Sequence, residues 1–437
     1  MRHKKLMGIG LESCCGGGVD VATAQADAGH VTPLIPAAPT DAPFADMTLN
    51  DVRDISEDLD VEDAAIDKLD RISNTLTEIR NDVVQNVGAN GALSAISAEA
   101  YSLAVDHVLR DTGLKAVFVS AEAFDRMSES ATTISVEAIG DSLRKVVDRI
   151  IELVLAGVEK ITEYVERYVT AAGSAQRRQD DLLETIARTN GRSPQTNAVA
   201  VQNAQAVWLA DEAGNIDLLK VTGAYTAVST EIYQQYIREI PKYINWIAGV
   251  VSNWVQNPGD FNGERPFGDL RPPYLSKLNP KTMVKEDWQF GEWRIAYDNT
   301  GPLPVIEWTA VEQDNNKPDV ENVTVGVLPL QAMGGIVQSA QAAVTTIANS
   351  KTASDEVNRA YKAFGDVIAK VKDLAESEDP KAKAIGDMMM PIVNSVRSFA
   401  TFPARSAGKL LHVNTAICDV LDEMLTAYNK PEAKEES

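Results

Sequence analysis

The chain has 437 residues, of which 44% are hydrophobic and 24% are charged, so most of it can bury a core. Its formal net charge of −22 argues against a dedicated DNA-backbone binder, because such a protein needs a basic face. The three cysteines show no CxxC spacing, which is typical of a reducing compartment. Four scattered histidines do not favour a histidine-rich metal site, and no apolar run reaches the roughly 20 residues of a membrane span.

Composition changes along the chain and divides it into five predicted regions. Residues 1–50 hold three consecutive glycines and four prolines, and we expect them to be disordered. Residues 51–137 are predicted to be acidic and helical, residues 138–257 to carry a long amphipathic helix, residues 258–330 to be irregular with short strands, and residues 331–437 to be helical again. The predicted fold is mainly α, with long amphipathic helices in bundle-like packing, a Trp- and Pro-rich middle segment of loops, and a few short β-strands.

The strongest helical periodicity in the chain predicts one helix over about residues 139–171. Its apolar residues recur every three or four positions, and its opposite face carries acids and bases together. A mixed face is typical of a helix that packs on a partner or on a core, whereas a membrane-surface helix is more uniformly basic. A similar stripe from Ile66 to Val83 predicts an upstream helix of about 25 residues. The main stripe consists of Leu143, Val147, Ile150, Val154, Val158, Ile161, Val165 and Tyr168.

All six tryptophans lie in the middle of the chain, from Trp208 to Trp308. A tryptophan cluster can serve as a ligand platform, but it is more often the packed core of a loop-rich subdomain, and we expect that role here. The hydrophobic pattern predicts a helix over about 225–255. It then predicts short strands at 293–297, 305–308 and 323–328.

Three apolar stripes near the C-terminus predict three helices, punctuated by Pro380, Pro391 and Pro403. The run of three methionines from Met388 to Met390 is interpreted as filling gaps in the core rather than as binding metal. The stripes are Val357, Tyr361, Phe364, Ile368, Val371 and Leu374, then Ile392, Val396 and Phe399, then Ile417, Leu421, Met424 and Tyr428.

The sequence contains none of the common catalytic or nucleotide-binding motifs. The P-loop, the GxGxxG fingerprint, the GxSxG elbow and the HExxH pair are all absent. We therefore predict no catalytic, cofactor-binding or metal residues, and interpret the chain as a protein that is not an enzyme. An enzyme whose site is assembled from distant residues stays an alternative.

The first residues allow one further interpretation. Basic residues from Arg2 to Lys5 precede a short apolar run and then Cys14, as in a lipoprotein signal. The apolar run is shorter than the usual 7–15 residues of a signal peptide, and Glu12 stands where a small residue is needed. A lipid-anchored periplasmic protein that uses Cys14 is kept as an alternative.

One short pattern recurs along the chain. The form aliphatic-Ser-x-Glu-Ala occurs at 96–100, 119–123 and 134–138, and plain Ser-x-Glu also occurs at 229–231 and 354–356. The 24 serines and 29 glutamates would give about 1.6 such pairs by chance, so five is an excess.

Two interpretations of this pattern are compatible. Serine is a good helix N-cap, and a glutamate two residues later lies in the first turn against the helix dipole, so each motif can start a helix. The pattern is also suited to a protease that reads a few extended residues in an accessible junction and cuts after the glutamate.

With these motifs, and with the run from Ile134 to Val147 that leads into the long helix, the sequence resembles the internal head proteins of the giant phiKZ-type tailed bacteriophages. The specific resemblance covers about residues 90–170. It implies a structural virion protein of the capsid interior, packaged with the genome. It also implies an N-terminal propeptide that the phage maturation protease removes after Ser-x-Glu motifs. The candidate P1 residues are Glu137, Glu122 and Glu99.

The resemblance also implies partners and a location. The partners are other phage head proteins and the maturation protease, with indirect contact to packaged DNA, oligomer formation through amphipathic helices, and no membrane. The location is the phage head interior, after a stage in the host cytoplasm. Residues 1–137 carry a net charge of −13 and residues 138–437 a net charge of −9, so cleavage after Glu137 would ease coexistence with DNA. An uncleaved helical scaffold or interaction protein stays an alternative.

Overall fold

The computed structural model describes residues 95–109, residues 128–429 with gaps, and helical residues between 68 and 86. The structure is 74% helical, and its described strands are few, short and antiparallel, which confirms the predicted mainly α class. The gaps after residue 128 are 203, 208–215, 274, 282, 286–288, 292, 311–321 and 376–378, and those between 68 and 86 are 70, 73–74 and 77.

Eight labelled helices follow in chain order, and two of them are much longer than the rest. They are α1 (Ala95–Leu109), α2 (Ser128–Thr189), α3 (Leu218–Thr230), α4 (Ile240–Gln256), α5 (Leu330–Ala348), α6 (Lys351–Ala375), α7 (Pro380–Asp387) and α8 (Met389–Asn429).

Helix α2 is longer at both ends than the sequence pattern predicts. Its 62 residues span about 93 Å at 1.5 Å per residue. The apolar spacing continues past residue 171 through Ala172, Leu182 and Ile186, which are buried, so the same face holds the helix to the core. The helix ends just before Gly191, whose φ of +86° favours glycine and stops the helix.

The helix predicted over 225–255 is interrupted. After α3 the backbone forms a π-helical turn, Glu231–Gln235, and then a 3₁₀ turn, Tyr236–Arg238, before α4 begins. The Tyr233 hydroxyl donates to the backbone oxygen of Pro403, at 2.7 Å. The irregular turns therefore lie against the part of α8 that contains a proline, and short π segments of this kind are common where packing or function requires them.

Two of the three predicted proline boundaries are wrong. Pro380 does begin a helix, α7, with Asp379 as its N-cap. Pro391 and Pro403 instead lie within the continuous helix α8. Pro391 is in the first turn, where an amide has no intrahelical partner to lose. Pro403 lies deep in the helix, where flanking Phe399 and Phe402 are fully buried and tertiary packing outweighs the missing hydrogen bond.

Four strands form two small antiparallel pairs. Strand β2 (Trp293–Asp298) pairs with β3 (Val305–Ala310), close to the predicted positions. Strand β1 (Ala198–Gln202) pairs with β4 (Asn322–Gly326), and β1 had no predicted counterpart.

The tryptophan segment packs mainly as core. The Trp308 indole donates to Ser406 Oγ on α8, at 2.9 Å, and fixes β3 against that helix. Trp254 is also buried, edge-on to Phe261, whereas Trp246 is 38% exposed. Trp208 and Trp288 lie outside the described residues.

The C-terminal stripes form the centre of the core, as the sequence predicts. Met389 and Met390 are buried with them, which confirms their packing role. The described stripe residues that are buried are Val357, Tyr361, Phe364, Ile368, Val371, Ile392, Val396, Phe399, Ile417, Leu421, Met424 and Tyr428.

Candidate cleavage sites and the helix that carries them

The C-terminal half of α2 is joined by side-chain hydrogen bonds to three other helices. We call residues 161–429, which include this half and α3 to α8, the body. These polar contacts fix the rotation of α2 in the core because each needs a particular face. The bonds are Gln176 to Thr345 of α5 (2.8 Å), Asn358 of α6 to Thr162, Tyr168 to Ser354 of α6, and Gln179 to Asn414 of α8 (2.7 Å).

We call these hydrogen bonds between α2 and the other body helices the seam. Tyr168 lies at its buried centre. Its hydroxyl shares a hydrogen bond with Ser354 Oγ and lies 3.4 Å from Ser350 Oγ. Burial raises the pKa of Tyr168 above its ordinary value, although the two serine hydroxyls act in the opposite direction. The phenol is therefore neutral around pH 7 and holds α6 by hydrogen bonding.

A charged contact also ties α2 to α8. Arg178 donates to Asp419, at 2.6 Å, and to Asp422, at 2.8 Å. Burial alone would lower the pKa of Arg178, but the bonds to Asp422 and Asp419 outweigh it and raise the pKa. The neighbouring Cys418 is a buried thiol whose pKa burial raises to about 12, against the opposing effect of Arg178.

The structure places two of the three candidate P1 residues within helices. Glu99 lies in α1, and Glu137 is the tenth residue of α2. Glu122 lies outside the described residues.

The N-cap interpretation of the motif is wrong for the serines that the structure describes. Ser97 is the third residue of α1 and Ser135 is the eighth of α2, so neither precedes its helix. Ser229 is near the end of α3 and Ser354 is the fourth residue of α6. The repeated pattern therefore needs another explanation.

The body also has an open groove, of about 510 Å³, between α3, the π-helical turn and α5. Its lining mixes apolar surface with the polar side chains of Thr226, Glu231 and Ser339. Within the described part of the chain, no group of three or more His, Cys, Asp or Glu residues is arranged to hold a metal ion. None of the helices in that same part combines the length and apolar character needed to cross a membrane.

Comparison with known protein families supports the resemblance seen in the sequence. Residues 50–264 match the family model of the phiKZ-like phage internal head proteins. Over this region the chain is similar to that family. The matched region contains α1 to α4 and all three candidate P1 residues, and it extends well beyond the predicted resemblance at 90–170. No curated protein and no solved structure matches the chain.

This similarity implies a structural component of the phage virion, located in the interior of the head with other head components. The family is a structural one. The polar seam between α2 and the other body helices was not predicted from the sequence, although Tyr168 stood in the predicted stripe.

Proposed function

We propose that this chain is a phage internal head protein that is packaged with the phage genome and matured by proteolysis after Ser-x-Glu motifs, with Glu137, Glu122 and Glu99 as P1 residues. The observation that carries the proposal is the repetition of aliphatic-Ser-x-Glu-Ala at 96–100, 119–123 and 134–138. The family match over residues 50–264 supports it, because all three copies lie within the matched region.

The position of the contacts in α2 supports the same division. The side-chain hydrogen bonds named above, from α2 to α5, α6 and α8, lie at Thr162 and beyond. A product that starts at Ala138 keeps all of these bonds. Removal of residues 1–137 therefore leaves the seam of the body unchanged.

Removal of residues 1–137 would also take away more than half of the negative charge of the chain. Residues 1–137 hold 23 acids and 10 bases, whereas the remainder holds 40 acids and 31 bases. The product is much less acidic and can be packed beside DNA at a lower electrostatic cost. Since it is still acidic, its main partners are other head proteins, its contact with DNA is indirect, and its amphipathic helices offer surfaces for self-association.

The test is intact-mass and N-terminal peptide analysis of the protein from purified virions. We expect a mature N-terminus at Ala100, Ala123 or Ala138. A chain that begins at Met1 or Arg2 would contradict maturation and favour an uncleaved scaffold. A start at a modified Cys14 would favour the lipid-anchored alternative.

A further inference from the structure

We propose that the two Ser-x-Glu motifs inside the body, at 229–231 and 354–356, are latent cleavage sites that the helical fold conceals. This inference rests on the proposed function, because it concerns the same maturation protease. It explains how a chain with five such motifs can lose its N-terminal region and keep its body whole.

The argument starts from backbone geometry. In an extended strand, residues i and i+2 point to the same side, so one protease groove can read the serine and the glutamate together. In an α-helix, residues two apart are rotated by about 200°, so they point to nearly opposite sides. A helical Ser-x-Glu motif therefore has to unwind before it can present both side chains to one groove, and unwinding costs most where the serine is buried in the core.

The motif at 354–356 shows this separation clearly. Ser354 is 2% exposed and is hydrogen-bonded to Tyr168, whereas Glu356 lies exposed on the opposite side of α6. Extending this segment would break the bond to Tyr168 and pull the neighbouring Val357 out of the core. The exposed glutamate alone does not complete the motif.

The motif at 229–231 is concealed in a similar way. Ser229 is fully buried at the end of α3, and Glu231 is half-buried at the start of the π-helical turn. Val228 and Ile232, on either side of Ser229, are also fully buried. The protease can reach this motif only when the helix junction unfolds.

The experiment treats the full chain with the purified maturation protease of the same phage, with and without a denaturing urea pre-treatment, and sequences the products. Synthetic peptides spanning 132–140, 227–234 and 352–359 serve as unfolded substrates. We expect the folded chain to be cut only after its N-terminal motifs, and all three peptides and the unfolded chain to be cut after their motif glutamates.

Two variants test the role of the Tyr168 hydroxyl. Tyr168→Phe removes the bond to Ser354, while Tyr428→Phe removes a comparable bond, from its hydroxyl to Leu328 O at 2.8 Å, far from α6 residue 354. In urea just below the unfolding midpoint, where local opening becomes measurable, we expect Tyr168→Phe to speed the appearance of the fragment that begins at Val357 roughly 2- to 10-fold over Tyr428→Phe, the effect of one hydrogen bond on local opening.

The experiment distinguishes a failure of latency from a failure of the proposed maturation. Three outcomes would each contradict latency without contradicting maturation. The first is cutting of the folded wild-type chain after Glu231 or Glu356, and the second is equal cutting rates in the two tyrosine variants. The third is that the 132–140 peptide is cut while the 227–234 and 352–359 peptides are not. Absence of cutting in every peptide and in the N-terminal region would overturn the proposed function as well.

Discussion

Gln179 is a polar side chain placed where the apolar face of α2 passes through the core. It is fully buried, and its amide donates to Asn414 Oδ1, at 2.7 Å, while Asn414 is 1% exposed. Buried amides are costly when they lose a partner, because the remaining group keeps its desolvation penalty. Pairs of this kind make one helix arrangement much more favourable than a slipped one.

We expect Gln179→Ala to lower the free energy of unfolding by about 1–3 kcal/mol, since it leaves Asn414 unpaired in the core. The matched control is Gln176→Ala, one turn earlier, whose partner Thr345 is only partly buried. Urea unfolding of the full chain followed by circular dichroism measures both. An equal loss in the two variants would show that burial of the Gln179 pair adds nothing.

The proposed maturation makes a residue-level prediction at Glu137. Glu137→Ala should abolish the N-terminus at Ala138 while leaving helicity unchanged, because Glu137 is beyond the first turn of α2 and alanine is a strong helix former. The control Glu152→Ala changes an exposed glutamate of the same helix that has no serine two residues before it. Product size on a gel and N-terminal sequencing provide the measurement. An Ala138 terminus in the Glu137 variant would rule out this site.

At the level of elements, local patterns account for most of what the sequence predicts correctly. The spacing of Ile161, Val165 and Tyr168 placed one face of α2 in the core, and the short runs near 293 and 305 gave β2 and β3. These elements depend on residues close in sequence, so periodicity is sufficient.

The elements that were not predicted depend on distant partners. Strand β1 is stabilised by pairing with β4, far along the chain, and the π-helical turn lies against Pro403 of α8. A proline normally ends a helix, but the buried phenylalanines beside Pro403 keep α8 intact. In the candidate sites, the motifs were visible in the sequence, whereas the bond between Tyr168 and Ser354 joins residues that no local rule connects.

The buried stripe of α2 gives a prediction at this scale. Ile161 is 2% exposed, so Ile161→Ala should lower the free energy of unfolding by about 2–5 kcal/mol through lost burial and a cavity. Glu163→Ala, two residues further on the exposed face of the same turn, loses only an exposed pair with Arg167 and should cost about 0.5 kcal/mol. Thermal unfolding compares the two variants. A similar shift in both would contradict the assigned face.

For the whole molecule, the titration of buried groups sets the response to alkali. Burial raises the pKa of Tyr225, Tyr233 and Tyr236 well above 10, and that of Cys418 to about 12. Below the pKa values of the unfolded chain, both states hold these protons and the stability is fully present. Above them, the unfolded chain ionises first, so the free energy of unfolding falls as pH rises.

We therefore expect the urea midpoint of the full chain to decrease steadily from about pH 9 towards pH 12, the window between the ordinary and the raised pKa values. Tyrosinate absorbance should rise together with unfolding rather than before it. A constant midpoint across this range, or ionisation of every tyrosine in the folded chain, would contradict the burial of these groups.

The unbroken course of α2 through Glu137 has an electrical consequence for any cut made there. Hydrolysis would place a new ammonium group at the end of a helix where the backbone dipole is already positive. Two like charges would then meet at one tip, and the first turn of the shortened helix would loosen. The released segment could pack again on the cut end only if that turn re-formed against the repulsion. A cut within the helix would therefore disfavour reassociation of the released segment with the retained one.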